Sequence, residues 1–539
     1  MEKKLIIAIG LSLMVLLTFQ MLSPKQKPAV QQQAQVAAKT NLEQTTVRKE
    51  YLPEPGAGFK EEDLSKAPQT EKLVEIQTDA YKLTFSDIGG SLKKISLNEY
   101  QDQNEEEILV DEIIPAKRIF AMQSGQLTGL DRQRFELTRK ENILEYRFKE
   151  TGWIETTKRY TIYKSNDRID LEIFVKNLSS RKTPFSYQIV GPSGLEQSGQ
   201  IIGRSFLQVD TMLNGKIWKT KGGKSAQEKT GDISWVALKN RYFTIILKPF
   251  SFPRAVTVTA TTNKNLLTAL TSQSYELAPE STIEEKYLLY AGPLNEKRIA
   301  QLGYDMQQVV DYGFFGGVSK ALLSVLSFFY KWTRNWGVAI ILLTILINII
   351  LFPLTYKSFA AMQQMKKIQP HMQKLKDLHK DNPQKLNKEM MELYKQHNVN
   401  PLGGCLPLLL QMPIFIALYQ GLMRSVALKG AKFLWIKDLA QPDAVAIPFS
   451  LPLIGAHINV LPLLMVGVMV LQQKVSQGIS AAGMTDEQAN QQRMMMIMMP
   501  LFFGFLFYKM PSGLVLYWLT NTILMTSEQT LISKRMNAS

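Results

Sequence analysis

Cysteine is almost missing: Cys405 is the only one in 539 residues. No intrachain disulfide can form, so whatever part of the chain faces an oxidising compartment must be held by its core alone. Cys405 sits in an apolar run with no histidine nearby and reads as a small buried residue. Histidine is scarce as well. His371, His379, His397 and His457 are the only four, and none falls between residues 59 and 295. There is no metal-spaced His/Cys cluster and no Gly-Lys loop that could cradle a phosphate. These absences argue against a metalloenzyme or an ATPase, and no cofactor or catalytic residue is expected. Charge is not short, but it is lopsided, with a net of +16. A basic balance can serve nucleic acid, yet no nucleic-acid motif is present. The densest lysines flank apolar runs, which points to positive-inside loops and anionic lipid, with no specific nucleic acid as partner.

The hydrophobic fraction of 45% is ordinary, but it is gathered into separate runs. That distribution describes a membrane protein with a large extramembrane part. Residues 1–22 read as a membrane anchor, because Lys3 and Lys4 precede an apolar stretch with no small-x-small cleavage site directly after it. Residues 23–58 are rich in Gln, Ala, Lys and Pro without periodicity and read as a flexible linker.

Residues 59–295 change to period two. Tyr81, Leu83 and Phe85 alternate with polar neighbours, as do Leu144, Tyr146 and Phe148, and Ile169, Leu171 and Ile173. Arg241–Leu247 and Lys286–Tyr290 add further strands, with turns at Gly89-Gly90 and Ala278-Pro279-Glu280. Alternation buries one face and wets the other, so this domain is expected to be an all-β sandwich. Glu296–Asp311 reads as a short helical link. Residues 312–333 follow as an amphipathic helix with Phe315, Val318, Leu322, Val325 and Phe329 on one face. Lys320, Ser324, Ser327 and Lys331 take the other, an arrangement suited to the membrane interface. A core helix packed on the sandwich is the competing reading.

Residues 336–533 carry the remaining spans. Val338–Phe352 is apolar and ends at Pro353-Leu354-Thr355. Residues 356–400 then hold nine lysines against four acidic residues. Met362, Met365, Ile368, Met372, Leu375 and Leu378 share one helix face, Asp381-Asn382-Pro383 turns the chain, and Leu386, Met390 and Leu393 resume the period. This is a helical hairpin standing on two membrane spans. The second of these spans runs to Leu422. A loop over Arg424–Leu451, a span at Val460–Leu471, a polar loop over Gln472–Gln492, a span at Met494–Tyr508, a tight turn and a last span from Leu514 complete the chain. The fold expected is an α-helical membrane bundle of six transmembrane helices, five of them forming a core, with an all-β sandwich and a helical hairpin. The lysines place the hairpin in the cytoplasm, so both termini are cytoplasmic and the sandwich is outside.

Polar side chains inside spans are costly and face a bundle interior or a wet cavity. Thr344 and Asn348 share one helix face. Gln411 sits mid-span, and Tyr517, Thr520, Asn521 and Thr522 line the last span. Two readings stay open: hydrogen-bond glue between helices, or a hydrophilic groove that admits the polar tail of a client protein.

Five blocks of sequence, in order, resemble the core of the YidC-type membrane protein insertases. They are Asn335-Trp336-Gly337, Phe352-Pro353-Leu354-Thr355, Asn400-Pro401-Leu402-Gly403-Gly404-Cys405, Gln411-Met412-Pro413-Ile414-Phe415 and Pro511-Ser512-Gly513-Leu514-Val515-Leu516-Tyr517-Trp518. The resemblance implies a bacterial inner-membrane insertase and chaperone with a periplasmic sandwich similar to that of sugar epimerases. It implies client-facing positions at Gln411, Met412, Phe415, Tyr517 and Trp518, which together with the polar Thr344, Asn348 and Thr522 make up the expected groove. The family's groove arginine is matched here by Asn348, which keeps hydrogen-bonding capacity and loses the fixed charge. Lys366, Lys367, Lys374 and Lys385 of the hairpin are the expected contacts to client or ribosome. Nascent membrane proteins and the lipid bilayer are the implied partners, with the Sec translocon and a weakly bound translating ribosome beside them. A small-solute transporter or channel is the leading rival, although no internal repeat is visible. A membrane-anchored carbohydrate-binding envelope protein is another, and it would not need the later spans.

Overall fold

The computed structural model describes residues 70–538, except 103–104, 113, 126–128, 165–166, 196–205, 222–225, 252, 261–264, 380–381, 398–405, 452–454 and 478–485. The expected anchor, the linker and the block Asn400–Cys405 lie outside the described residues.

Period-two patterning produces the sheets it suggests. In Arg168–Asn177 the residues Ile169, Leu171, Ile173 and Val175 are buried and their neighbours are half-exposed. This strand is central in a nine-stranded antiparallel sheet. Its order is Lys216–Thr220, Gln208–Leu213, Ile233–Lys239, Phe243–Pro249, Thr282–Pro293, Arg168–Asn177, Ile154–Ile162, Ile143–Glu150 and Glu136–Lys140. A five-stranded and a four-stranded sheet, the latter from Leu73–Gln77 to Glu105–Asp111, share its apolar core. Gly89 and Gly90 turn the chain with φ of 66° and 50°, a region that glycine enters without steric cost. The strand expected from Arg241 begins instead at Phe243. The Asn240 side chain accepts hydrogen bonds from the backbone of Tyr242 and Phe243 at 2.9 and 2.8 Å, and this local turn displaces the ladder.

The helices are α1 (Glu296–Ala300), α2 (Gly316–Thr333), α3 (Trp336–Leu378), α4 (Pro383–Gln396), α5 (Leu406–Arg424), α6 (Val460–Gln477), α7 (Asp486–Phe507) and α8 (Ser512–Ala538). Helix α2 packs on α3 and α5 rather than on the sandwich. Its inward face holds Ser319 and Leu326, while Val318, expected on that face, is exposed along with Phe328 and Trp332. The buried stripe is therefore turned by about one residue from the expected one. The cause is that α2 is apolar on more than one side and the partner helices choose which side is covered.

Helix α3 is 43 residues long and runs on through Pro353 and Pro370. The span does not end at Pro353 as expected. Pro353 leaves the Ile349 carbonyl without its usual backbone donor, a loss that a membrane helix tolerates; two residues on, the Thr355 hydroxyl donates to the Leu351 carbonyl at 3.1 Å. The first arm of the hairpin is thus a continuation of the span. Antiparallel α4 follows, with Ile368 and Leu393 buried and Leu378, expected on the same face, exposed. The loop after α5 contains a β-hairpin, Val445–Leu451 with Gly455–Ile458. Much of the expected polar loop Gln472–Gln492 is helical, since α6 reaches Gln477 and α7 starts at Asp486. Among the described residues one helical stretch, Trp336–Met365, is long and apolar enough to cross a membrane. Val460–Val475 and Ile497–Phe507 are shorter apolar helices.

Candidate functional site

Helices α3, α5 and α8 converge, and their polar residues meet where they do. Thr344 is fully buried, and its hydroxyl donates to the Ile340 carbonyl of its own helix at 2.7 Å. Asn348 lies one turn further on the same face. Its amide donates to the Thr344 carbonyl at 2.8 Å and to the Asn521 side-chain oxygen on α8 at 3.0 Å. Gln411 on α5 donates to the Tyr517 hydroxyl on α8 at 2.5 Å. All five of these side chains are buried. In apolar surroundings an unpaired amide is expensive, and these pairs link α8 to both neighbours.

Next to this polar face stands an aromatic cluster. The Phe415 ring meets Trp518 edge-on with centroids 4.9 Å apart, and Phe503 and Phe507 lie 5.6 and 5.2 Å from the same indole. Met412 is half-buried beside Gln411. Thr522 is buried, and its hydroxyl bonds the Trp518 carbonyl at 2.8 Å, so it satisfies its own helix rather than a partner. The structure thus unites Asn348 with Asn521 and Gln411 with Tyr517, and it places Phe415 against Trp518. Asn521, absent from the eight candidates, proves to be the partner of Asn348. Its position within the last span was the available signal. The hairpin lysines stand apart from this face: Lys367 and Lys374 on α3 and Lys385 on α4 are exposed.

At the other end of the helices the β domain is clamped to the core. Arg241 is 1% exposed. Its Nε donates to the Met423 carbonyl at the end of α5 at 2.6 Å, and Nη2 donates to the Ala440 carbonyl at 3.0 Å. Its guanidinium lies 4.6 Å from the Tyr242 ring centroid. Burial pushes this guanidinium below its ordinary pKa and pushes the neighbouring Asp438 carboxyl above its own. A second clamp is the Lys429–Glu107 ion pair. Nothing in the sequence marks Arg241, which looks like any charge at the start of a strand.

The motif residues also have local duties. Asn335 caps α3 by accepting from the Val338 backbone at 3.1 Å, and Trp336 stacks on Tyr330 with centroids 4.0 Å apart. At Ser512 and Gly513 the backbone donates to the carbonyls of Gln441 and Leu439 at 2.8 and 2.9 Å, which fixes the start of α8.

Residues 328–539 match the family described as 60Kd inner membrane protein, and residues 73–325 match the YidC periplasmic domain. A membrane protein insertase YidC of Geotalea uraniireducens is 31% identical over 99% of this chain and 100% of its own length. The chain belongs to the YidC family of membrane protein insertases. The insertase YidC of Citrifermentans bemidjiense is 32% identical over 99% of both chains, and that of Syntrophobacter fumaroxidans is 34% identical over 89% of this chain and 83% of its own. A solved active YidC insertase with its first transmembrane domain resolved is 17% identical over 85% of this chain and 92% of its own, with a TM-score of 0.36. A putative aldose 1-epimerase of Escherichia coli K12 covers 41% of this chain and 99% of itself at 7% identity, with a TM-score of 0.31. At these TM-scores the structural likenesses carry no weight. The family makes this an inner-membrane protein with a periplasmic β domain.

Proposed function

We propose that the protein inserts client membrane proteins into the bacterial inner membrane along a hydrophilic groove between α3, α5 and α8. The groove opens to the cytoplasm and to lipid. The observation that carries this reading is the pair of side-chain bridges, Asn348–Asn521 and Gln411–Tyr517, inside otherwise apolar helices. A client span gains roughly 0.3 to 0.6 kcal/mol for each strongly apolar residue that reaches mid-membrane. The obstacle is its polar flank, which loses water on the way. Amides and a phenol that can exchange their mutual hydrogen bonds for bonds to that flank lower this barrier without other fuel. Phe415, Met412 and Trp518 offer the adjoining apolar wall to the client's span.

In this arrangement six helices cross the bilayer, and both termini and the hairpin are cytoplasmic. The β domain and the hairpin sit at opposite ends of α3 and α5, which supports that placement. The hairpin's exposed Lys367, Lys374 and Lys385 form a cationic surface for client segments and, weakly, for a translating ribosome; Lys366, expected with them, has its side chain outside the described ones. The protein works alone or beside the Sec translocon. The test is reconstitution of the full chain into vesicles, with client insertion and small-solute flux measured on the same preparation. Client insertion without solute flux is the expected result; flux without insertion would return the protein to the transporter class.

A further inference from the structure

The apolar helices hold one acidic group that nothing above uses. Among the described residues Glu528 is the only carboxylate inside the apolar stretches of α3, α5, α6, α7 and α8. It is half-buried, and its Oε2 is shielded from solvent with no hydrogen-bond partner among the described residues. A carboxylate placed so is costly, and such groups mark a pathway or a missing partner.

Its position says which partner. Glu528 follows Asn521 by seven residues, about two helical turns, so the two share a face of α8. It lies about 24 Å along the axis from Ser512, toward the end of the helix nearer the lysine hairpin. Buried Gln529 and Ser533 flank it on α8, and Thr355, Ser358 and Gln363 are buried on the corresponding length of α3. The polar face that begins at Asn348 and Asn521 therefore extends to the cytoplasmic end and carries an unsatisfied anion there. The charge around that mouth is mainly basic, with nine lysines against four acidic residues in the hairpin and Lys534 and Arg535 on α8, and Glu528 is the acidic group set into the polar face itself.

A spanning segment keeps its lysine- and arginine-rich flank on the cytoplasmic side. We infer that Glu528 receives this retained basic flank of the client and holds it at the cytoplasmic mouth while the apolar span moves into lipid. The contact would make the protein a reader of client charge, favouring the orientation in which the basic flank stays behind. The inference rests on the insertase reading and adds a specificity-determining residue to it.

The experiment uses the full chain in zwitterionic vesicles, so that lipid charge does not contribute. Clients share one span and carry a retained flank with four Lys, four Gln or four Glu. The quantity read is the ratio of Lys-flank to Gln-flank insertion rates within each variant, which cancels any loss of folded protein. The wild type should favour the Lys flank by about threefold, as for a partly screened ion pair. Glu528→Asp should retain the preference, Glu528→Gln should bring the ratio to about one, and Glu528→Lys should favour the Glu flank. A wild-type ratio of one, or an unchanged ratio in Glu528→Gln, overturns the inference. Its failure is distinct from failure of the groove. If the charge preference survives Glu528→Gln while a double replacement of Asn348 and Asn521 by Leu slows polar-tailed clients, the groove stands and the role of Glu528 falls.

Discussion

Replacing Asn348 by Leu separates glue from groove once its partner is changed as well. In the wild type the Asn348 amide spans to the Asn521 oxygen at 3.0 Å. Asn348→Leu removes that bond and leaves the Asn521 oxygen buried and unpaired. Interhelical hydrogen bonds in membranes average about 0.6 kcal/mol and reach about 1.7, and an orphaned buried acceptor costs about 1–3 kcal/mol. The single variant should therefore lose about 1–2 kcal/mol. In Asn348→Leu/Asn521→Leu both partners are apolar and no orphan remains, so stability should return most of the way. The double-mutant cycle should show a coupling of about 1 kcal/mol. Stability is read by thermal unfolding in detergent, and function by insertion of clients whose translocated tails have equal length and rising polarity. If the pair is only glue, the restored double variant inserts every client at the wild-type rate. If it wets the groove, the double variant is stable and slows in proportion to tail polarity. A double variant that matches the wild type in both stability and insertion refutes the groove role of these asparagines.

Three further outcomes follow from the geometry. Arg241→Met leaves the carbonyls of Met423 and Ala440 without their charged donor and should cost about 3 kcal/mol of domain docking, seen in calorimetry as the β domain and helices melting separately instead of together. Lys158, fully buried and bonded to the carbonyls of Gly89 and Phe120 at 2.6 and 2.7 Å, is pushed by burial down to about 7. The unfolded chain holds that proton up to the ordinary lysine range, so this group makes stability rise with pH above 7, by about 1 kcal/mol per pH unit. A Lys158→Met variant should lack that component when the β domain's melting temperature is followed from pH 7 to 9.5. At Gly337 an added Cβ would stand 2.2 Å from the Phe433 ring. Gly337→Ala should thus cost about 2 kcal/mol through overpacking, and Phe433→Ala in the same chain should relieve the clash.

What was legible in the sequence is what a one-sided burial prints locally. Ile169, Leu171 and Ile173 announce their strand because every second residue must leave water, and no distant contact is needed to see it. The amphipathic hairpin is legible for the same reason at period 3.6, through Ile368 and Leu393. Legibility fails where both sides of an element are apolar. Val318 and Leu326 of α2 are equally suited to burial, and only the docking of α3 and α5 selects Leu326. It fails again at Pro353, where the local rule predicts a stop. A helix in lipid has no water to receive freed carbonyls, so continuing past one lost donor costs less than ending and freeing a whole turn of them. The polar residues of the spans were visible one by one. Their pairing was not, because Asn348 and Asn521 are brought together only by the packing of α3 on α8.

The β domain holds one end of the helices through a few buried contacts, and this bears on where a client enters. The outer end of α5 is fixed by Arg241 through the Met423 carbonyl, and the outer end of α8 by Ser512 and Gly513 on the Gln441 and Leu439 carbonyls. The loop that supplies those carbonyls is itself tied to the β domain by Lys429 and Glu107. At the other end α3 continues as the first arm of the hairpin that it forms with α4. The prolines fall between the clamped end and the hairpin: Pro353 and Pro370 in α3 and Pro413 in α5 each remove a backbone donor. Prolines are where a long helix bends most readily. On the proposed function, the face between α3, α5 and α8 would therefore open at the hairpin end, with the Arg241 clamp as its fixed point, and a client would reach the Asn348–Asn521 and Gln411–Tyr517 bridges from that end.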